Sequence, residues 1–159
     1  MEKLDDALGG GVKSGEVTLV YGGGGSGKTA LALQVVVECC RRALKTVFAV
    51  GGGSFPLDRF VQLAGSEWRG LMEFCLVNQL RDFDHQDAFV SRLDNYLSPQ
   101  TRLVVFDSFT SLYRAALAPQ RGIPNVNLNR LLNRELALLT WVSREKDTCV
   151  LLTSEMRSV

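Results

Sequence analysis

The sequence has one histidine, four prolines, no like-charged tail and no apolar run long enough to cross a bilayer. Each shortage removes a class of function. Lys and Arg number 18 against 17 Asp and Glu, a net charge of +1, so bulk charge does not mark a binder of nucleic acid or of a membrane surface. Any affinity for a polyanion must come from a local patch. The opening stretch Met1 to Asp6 carries acidic residues and no apolar core, unlike a signal peptide, and a cytoplasmic protein with no membrane partner is expected. Cys39, Cys40, Cys75 and Cys149 show no C-x-x-C spacing and sit in apolar or helical contexts, which reads as free structural thiols rather than a metal or redox site. His85, in DFDHQDAF, reads as a solvated side chain opening a helix rather than a ligand or base. Internal repeats and low-complexity linkers are also lacking.

What is present is apolar patterning. At 159 residues and 46% hydrophobic composition, the chain can bury a core and is expected to form one domain over residues 1–159. Apolar, β-branched runs predict strands over Glu16 to Tyr21, Thr46 to Val50, Glu73 to Val77, Arg102 to Phe106 and Thr148 to Thr153. Helical spacing appears over Lys28 to Ala43, Leu57 to Ala64, Asp84 to Leu97 and Leu128 to Lys146, the last through Leu128, Leu131, Leu132, Leu139 and Val142. Strands alternating with helices predict an α/β fold, a parallel sheet covered on both faces. Between Tyr113 and Asn127, Pro119, Gly122 and Pro124 predict an irregular segment.

The stretch VTLVYGGGGSGKTALALQ places Gly22, Gly23, Gly24, Gly25, Ser26, Gly27, Lys28 and Thr29 in the spacing G-x-x-x-x-G-K-T, between a strand and a helix that continues through Ala30. That context suits a phosphate loop: backbone N–H groups converge on an anion at a helix N-terminus, Lys28 reaches the outer phosphates and Thr29 ligates magnesium. A Gly-rich turn with nothing bound leaves Lys28 and Thr29 in register unexplained. In TRLVVFDSFTSLYR an apolar strand ends in Asp107, at the end of a parallel sheet where ligands bind, and its carboxylate can hold the same metal, usually through water, while also capping the following turn. At the end of the second strand, Gly51, Gly52 and Gly53 remove three side chains from the same region.

Together, LDDALGGGVKSGEVTLVYGGGGSGKT, LVVFDSFTSLYR and LLNRELALLTWVSREKDTCVLLTSEMR resemble the RecA/RadA recombinase family, most nearly its short archaeal RadB-type paralogues. The resemblance covers most of the chain in the same order. It implies a RecA-like P-loop NTPase core that binds ATP with magnesium and acts in homologous recombination and DNA repair, with a RadA-type recombinase and single-stranded DNA, at modest affinity, as partners. It also implies a spatial strand order of 73–77, 46–50, 101–106, 148–153 and 16–21. Lys28 keeps its phosphate role, and Thr29 and Asp107 the metal. Arg59, in FPLDRF, falls where the family stacks an arginine on adenine, and equally reads as a solvated helix residue. Arg114, Arg121, Arg130 and Arg134, with no acidic residue between Arg114 and Arg134, match the family's first DNA loop; a solvated basic loop is the plain alternative.

Two departures bear on catalysis. The family's second-strand motif resembles DTEGTF, whose glutamate positions the attacking water; here VGGGSF puts Gly52 at that place. Glu155, in TSEMR, stands where the family has a glutamine that senses the terminal phosphate. The glycines then mark a lost catalytic carboxylate, or one of them merely forms a turn while a neighbouring acid compensates. The family's later strands and second DNA loop have no counterpart before Val159, so the loop strand is expected at a sheet edge, covered by a partner or another copy, unless the sequence is a shortened or divergent form of a longer protein. Three readings follow: a weakly hydrolysing accessory ATPase, a DNA-stimulated ATPase using Glu155 beside Lys28 for catalysis, or a non-catalytic nucleotide-gated module that binds a recombinase. A small-molecule kinase is distant, since neither a lid-like arginine cluster nor a substrate-pocket signature is found.

Overall fold

The computed structural model describes residues 10–117 and 125–156. Its sheet contains β1 (Val17–Gly22), β2 (Lys45–Val50), β3 (Cys75–Gln79), β4 (Thr101–Asp107) and β5 (Cys149–Glu155). They lie in the order β1-β5-β4-β2-β3, every pairing parallel. This is the strand order implied by the family resemblance, read from the other edge. The helices are α1 (Lys28–Arg41), α2 (Leu57–Ala64), α3 (Trp68–Met72), α4 (Phe83–Ser91), α5 (Ser111–Ala116) and α6 (Asn125–Glu145).

The central strands are apolar at consecutive positions because both faces are covered. Phe48, Val50, Leu103, Val105 and Leu151 pack with Leu33, Val36, Phe60 and Leu71 from α1 to α3. Their neighbours Val47, Ala49, Val104, Phe106, Val150 and Leu152 turn to the other face, against Phe89 of α4 and Leu139 and Val142 of α6. Among the described residues β1 is an edge strand, and its Leu19 and Tyr21 are 52% and 66% exposed.

Some boundaries differ from expectation. The apolar pattern predicts the third strand over Glu73 to Val77, but it spans Cys75–Gln79, because Glu73 and Phe74 close a helical turn, with Phe74 N donating to Leu71 O at 3.1 Å. The third predicted helix begins at Phe83, capped by the Asp82 carboxylate on His85 N at 2.8 Å, and gives way after Ser91 to a 3-10 turn at Leu93–Tyr96. The segment Tyr113 to Asn127 is not irregular throughout: α5 runs to Ala116 and α6 starts at Asn125. Burial of Phe83, Ala116 and Leu128 in one cluster holds these helix ends. The three breakers Pro119, Gly122 and Pro124 lie within 118–124, outside the described residues.

Candidate functional site

Because every pairing is parallel, β1, β2, β4 and β5 all end on one side of the sheet, where Gly22, Val50, Asp107 and Glu155 lie. β1 runs into the glycine loop and Lys28 opens α1. The Lys28 ammonium is satisfied by the loop itself, donating to Gly22 O at 3.0 Å and Gly23 O at 2.7 Å and reaching Ser26 Oγ at 3.3 Å. Thr29 Oγ1 donates to Asp107 Oδ2 at 2.8 Å. Thr153 of β5 donates its hydroxyl to the other Asp107 oxygen. The fold thus brings together the hydroxyl and carboxylate that the sequence pairs for a metal.

A cavity of about 260 Å³ is lined by Gly25, Ser26, Gly27, Lys28, Thr29, Ala30 and Arg59. Arg59 therefore borders the loop while donating to Gln62 Oε1 at 2.7 Å. The donors fit magnesium carried by a phosphate: both are hard oxygens, and such an ion keeps much of its coordination for water and phosphate rather than an all-protein cage. Among the described residues no group of three or more His, Cys, Asp or Glu is placed to hold a metal.

The three glycines after β2 do different things. Gly51 N donates to Asp107 O at 2.9 Å, and its carbonyl accepts from Ser111 Oγ. A Cβ built there would overlap the Ser108 carbonyl oxygen and stand 3.0 Å from its carbon, so β4's end leaves no room for a side chain. Gly53 has φ +70°, the left-handed region that favours glycine. Gly52, where the family resemblance places a glutamate, is exposed, and a Cβ on it would stand 3.2 Å from Ser111 Oγ, a side chain that can turn away.

Glu155 ends β5 in register with Gly22. Its Oε1 would be 2.8 Å from a Cβ on Gly24, so its carboxylate lies against the loop. Arg114 donates through Nη1 to the Glu155 carbonyl, and its Nη2 is 3.9 Å from Oε2. Of the other arginines read as a DNA loop, Arg134 is ion-paired with Asp87 at 2.6 Å, Arg130 is exposed on α6, and Arg121 lies outside the described residues.

Sequence reasoning missed the supports of this site. Gln86 of α4 donates through Nε2 to Phe109 O at 3.1 Å and to Glu135 Oε2 of α6 at 2.8 Å. Both side chains are fully buried. Phe109 N in turn donates to Thr153 O at 2.9 Å, so a buried polar link runs from α6 to the segment that follows Asp107. Burial foremost pushes the Glu135 carboxyl up from 4.5 to about 8, with Asp87 adding to the shift and the Gln86 hydrogen bond and Arg134 opposing it.

A family model described as Rad51 matches residues 1–159. The chain belongs to the Rad51 family. Its curated relatives include proteins named DNA repair and recombination protein RadB. The one from Methanococcoides burtonii is 30% identical over 155 residues, 98% of this chain and 68% of that protein. The one from Pyrococcus furiosus is 31% identical over 156 residues, 96% and 64%, and that from Archaeoglobus fulgidus 32% over 154 residues, 96% and 67%. The likeness is therefore to RadB-type members, and the chain spans about two thirds of their length. No helix among the described residues is long and apolar enough to cross a membrane.

Proposed function

We propose that this chain binds magnesium-ATP and serves as a slowly hydrolysing accessory protein in homologous recombination and DNA repair. The observation that carries the reading is the 2.8 Å bond between Thr29 and Asp107 beside Lys28 in the glycine loop. In this reading the loop N–H groups and Lys28 hold the phosphates, Thr29 and Asp107 hold the metal, and Arg59 lies against the base. Magnesium, when bound, neutralises phosphate charge and polarises the terminal phosphoryl group. Thr153 keeps the Asp107 carboxylate oriented. Gly52 supplies no group to position water, and that lack makes turnover slow.

Lys28→Ala tests the assignment. Calorimetric titration with magnesium-ATP should show affinity falling by about two orders of magnitude or more, since a charge-assisted phosphate contact is lost. Equal affinity in parent and variant would place the nucleotide elsewhere.

The relatives' names, DNA repair and recombination protein RadB, support work on DNA, and a recombinase and single-stranded DNA are the partners proposed for this chain. With Arg114 and Arg134 ion-paired, Arg121 and Arg130 are the arginines proposed for phosphate contact. Binding to an unstructured oligonucleotide should then weaken with salt along a shallow log–log slope of about −1 to −2. Affinity independent of salt, or unaltered by Arg121→Ala with Arg130→Ala, would remove DNA from the proposal. The contact of Glu155 with the loop supports the second reading, in which Glu155 is the catalytic carboxylate, but also places a negative charge where another must enter.

A further inference from the structure

We infer that Glu155, with Arg114 as its counter-ion, sets how many phosphates the site accepts, so that the folded chain favours a nucleoside diphosphate over the triphosphate. The inference deepens the proposed nucleotide binding and rests on it. Contacts on either side hold the strand end that carries the carboxylate. Pairing of Gly22 with Glu155, continued by Met156 N donating to Gly22 O at 2.9 Å, ties the end of β5 to the start of the loop. The Thr110 and Ser154 hydroxyls bond at 2.7 Å and join the start of α5 to the same strand end. Arg114, one turn further along α5, holds the Glu155 carbonyl and stands beside its carboxylate.

The carboxylate is therefore aimed at Gly24, where it would be 2.8 Å from a Cβ. The loop cavity that includes Arg59 is lined from Gly25 onward. Glu155 meets the loop at the other end, next to the carbonyls of Gly22 and Gly23 that hold the Lys28 ammonium. Lys28 is the group that reads outer phosphates, so the carboxylate stands where the outermost phosphate adds its charge. A terminal phosphate brings roughly one to two further negative charges, and like charges within a few ångströms oppose each other even near a surface. Arg114 relieves part of this by sharing its charge with the carboxylate. The side chains are 26% and 46% exposed, so water screens the pair only in part.

The test measures magnesium-ADP and magnesium-ATP binding by calorimetry for the parent, Glu155→Gln, Arg114→Ala and the double variant, with circular dichroism confirming that each is folded. The parent should bind ADP more tightly than ATP, and a parent that binds ATP as tightly as ADP or more tightly would overturn the inference. Glu155→Gln should tighten ATP roughly five- to tenfold while moving ADP by less than about twofold. Arg114→Ala should widen the preference for ADP in the parent background and change it little in the double variant, where the carboxylate charge is gone. Equal changes for both nucleotides in Glu155→Gln, or an Arg114→Ala effect identical in the two backgrounds, would overturn the inference while leaving nucleotide binding intact. If no variant binds either nucleotide, the proposed function itself fails, and the inference with it.

Discussion

Gly51→Ala should cost roughly 3–5 kcal/mol of folding stability, at the upper end of what a single methyl does, whereas Gly52→Ala should cost less than about 1 kcal/mol. The difference lies in what each Cβ meets. At Gly51 it overlaps a backbone carbonyl, that of Ser108, which directly follows Asp107 and cannot rotate out of the way as a side chain does. At Gly52 it meets the Ser111 side chain, Oγ at 3.2 Å and Cβ at 3.7 Å, and no backbone among the described residues. Gly53→Ala should fall between, about 1 kcal/mol, through its positive φ. Chemical denaturation of the three variants gives the order directly. A Gly51→Ala protein as stable as the parent would mean that β2 and the end of β4 are not packed as described.

A second large effect concerns Glu135. A carboxyl whose pKa rises on folding stabilises the fold while protonated in both states, so its contribution is fully present below its unfolded value of 4.5 and is lost as pH climbs through about 8. The span of 4.5 to about 8 corresponds to a loss of up to roughly 5 kcal/mol at about 1.4 kcal/mol per unit. Glu135→Gln keeps the shape and the Gln86 hydrogen bond without the charge. The variant should match the parent near pH 4.5 and exceed it increasingly toward pH 8.5, by several kcal/mol at about 1.4 kcal/mol for each unit. Denaturant midpoints across that range measure it. Parallel curves for the two proteins would show that Glu135 is not buried as a neutral acid.

The sheet order was legible because each strand-to-helix transition was marked by composition, and the resemblance supplied the order in which such strands pair. The meeting of Thr29 with Asp107 beside Lys28 was legible because the loop spacing marks where a strand-end carboxylate has a partner. The site's supports were not. Glu135 lies in the apolar stripe of α6 between Leu132 and Leu139, at the spacing of a core residue, and Gln86 lies between Phe83 and Val90 on α4 in the same way. A polar residue within an apolar stripe was the available signal. Its meaning depends on a facing partner that sequence spacing does not reveal. In the sequence alone the three glycines read either as a lost catalytic carboxylate or as a turn beside a compensating acid. The structure separates a close backbone approach at Gly51 and a left-handed turn at Gly53 from Gly52, where a side chain has room. The pairing of Arg114 with Glu155 and of Arg134 with Asp87 likewise takes two arginines out of the basic loop read from the sequence, because long side chains choose partners across elements.

On the proposed reading, the chain holds ATP in a site that lacks the group to activate water. Single-turnover hydrolysis decides this, with protein in excess over magnesium-ATP so that every nucleotide is bound. A positioned general base contributes typically about 10² to 10⁴ in rate, so bound ATP should persist for many minutes on the parent, and Gly52→Glu should hydrolyse it at least about tenfold faster. Rapid hydrolysis by the parent, abolished by Glu155→Gln without loss of ATP binding, would contradict the proposal and make Glu155 the catalytic carboxylate.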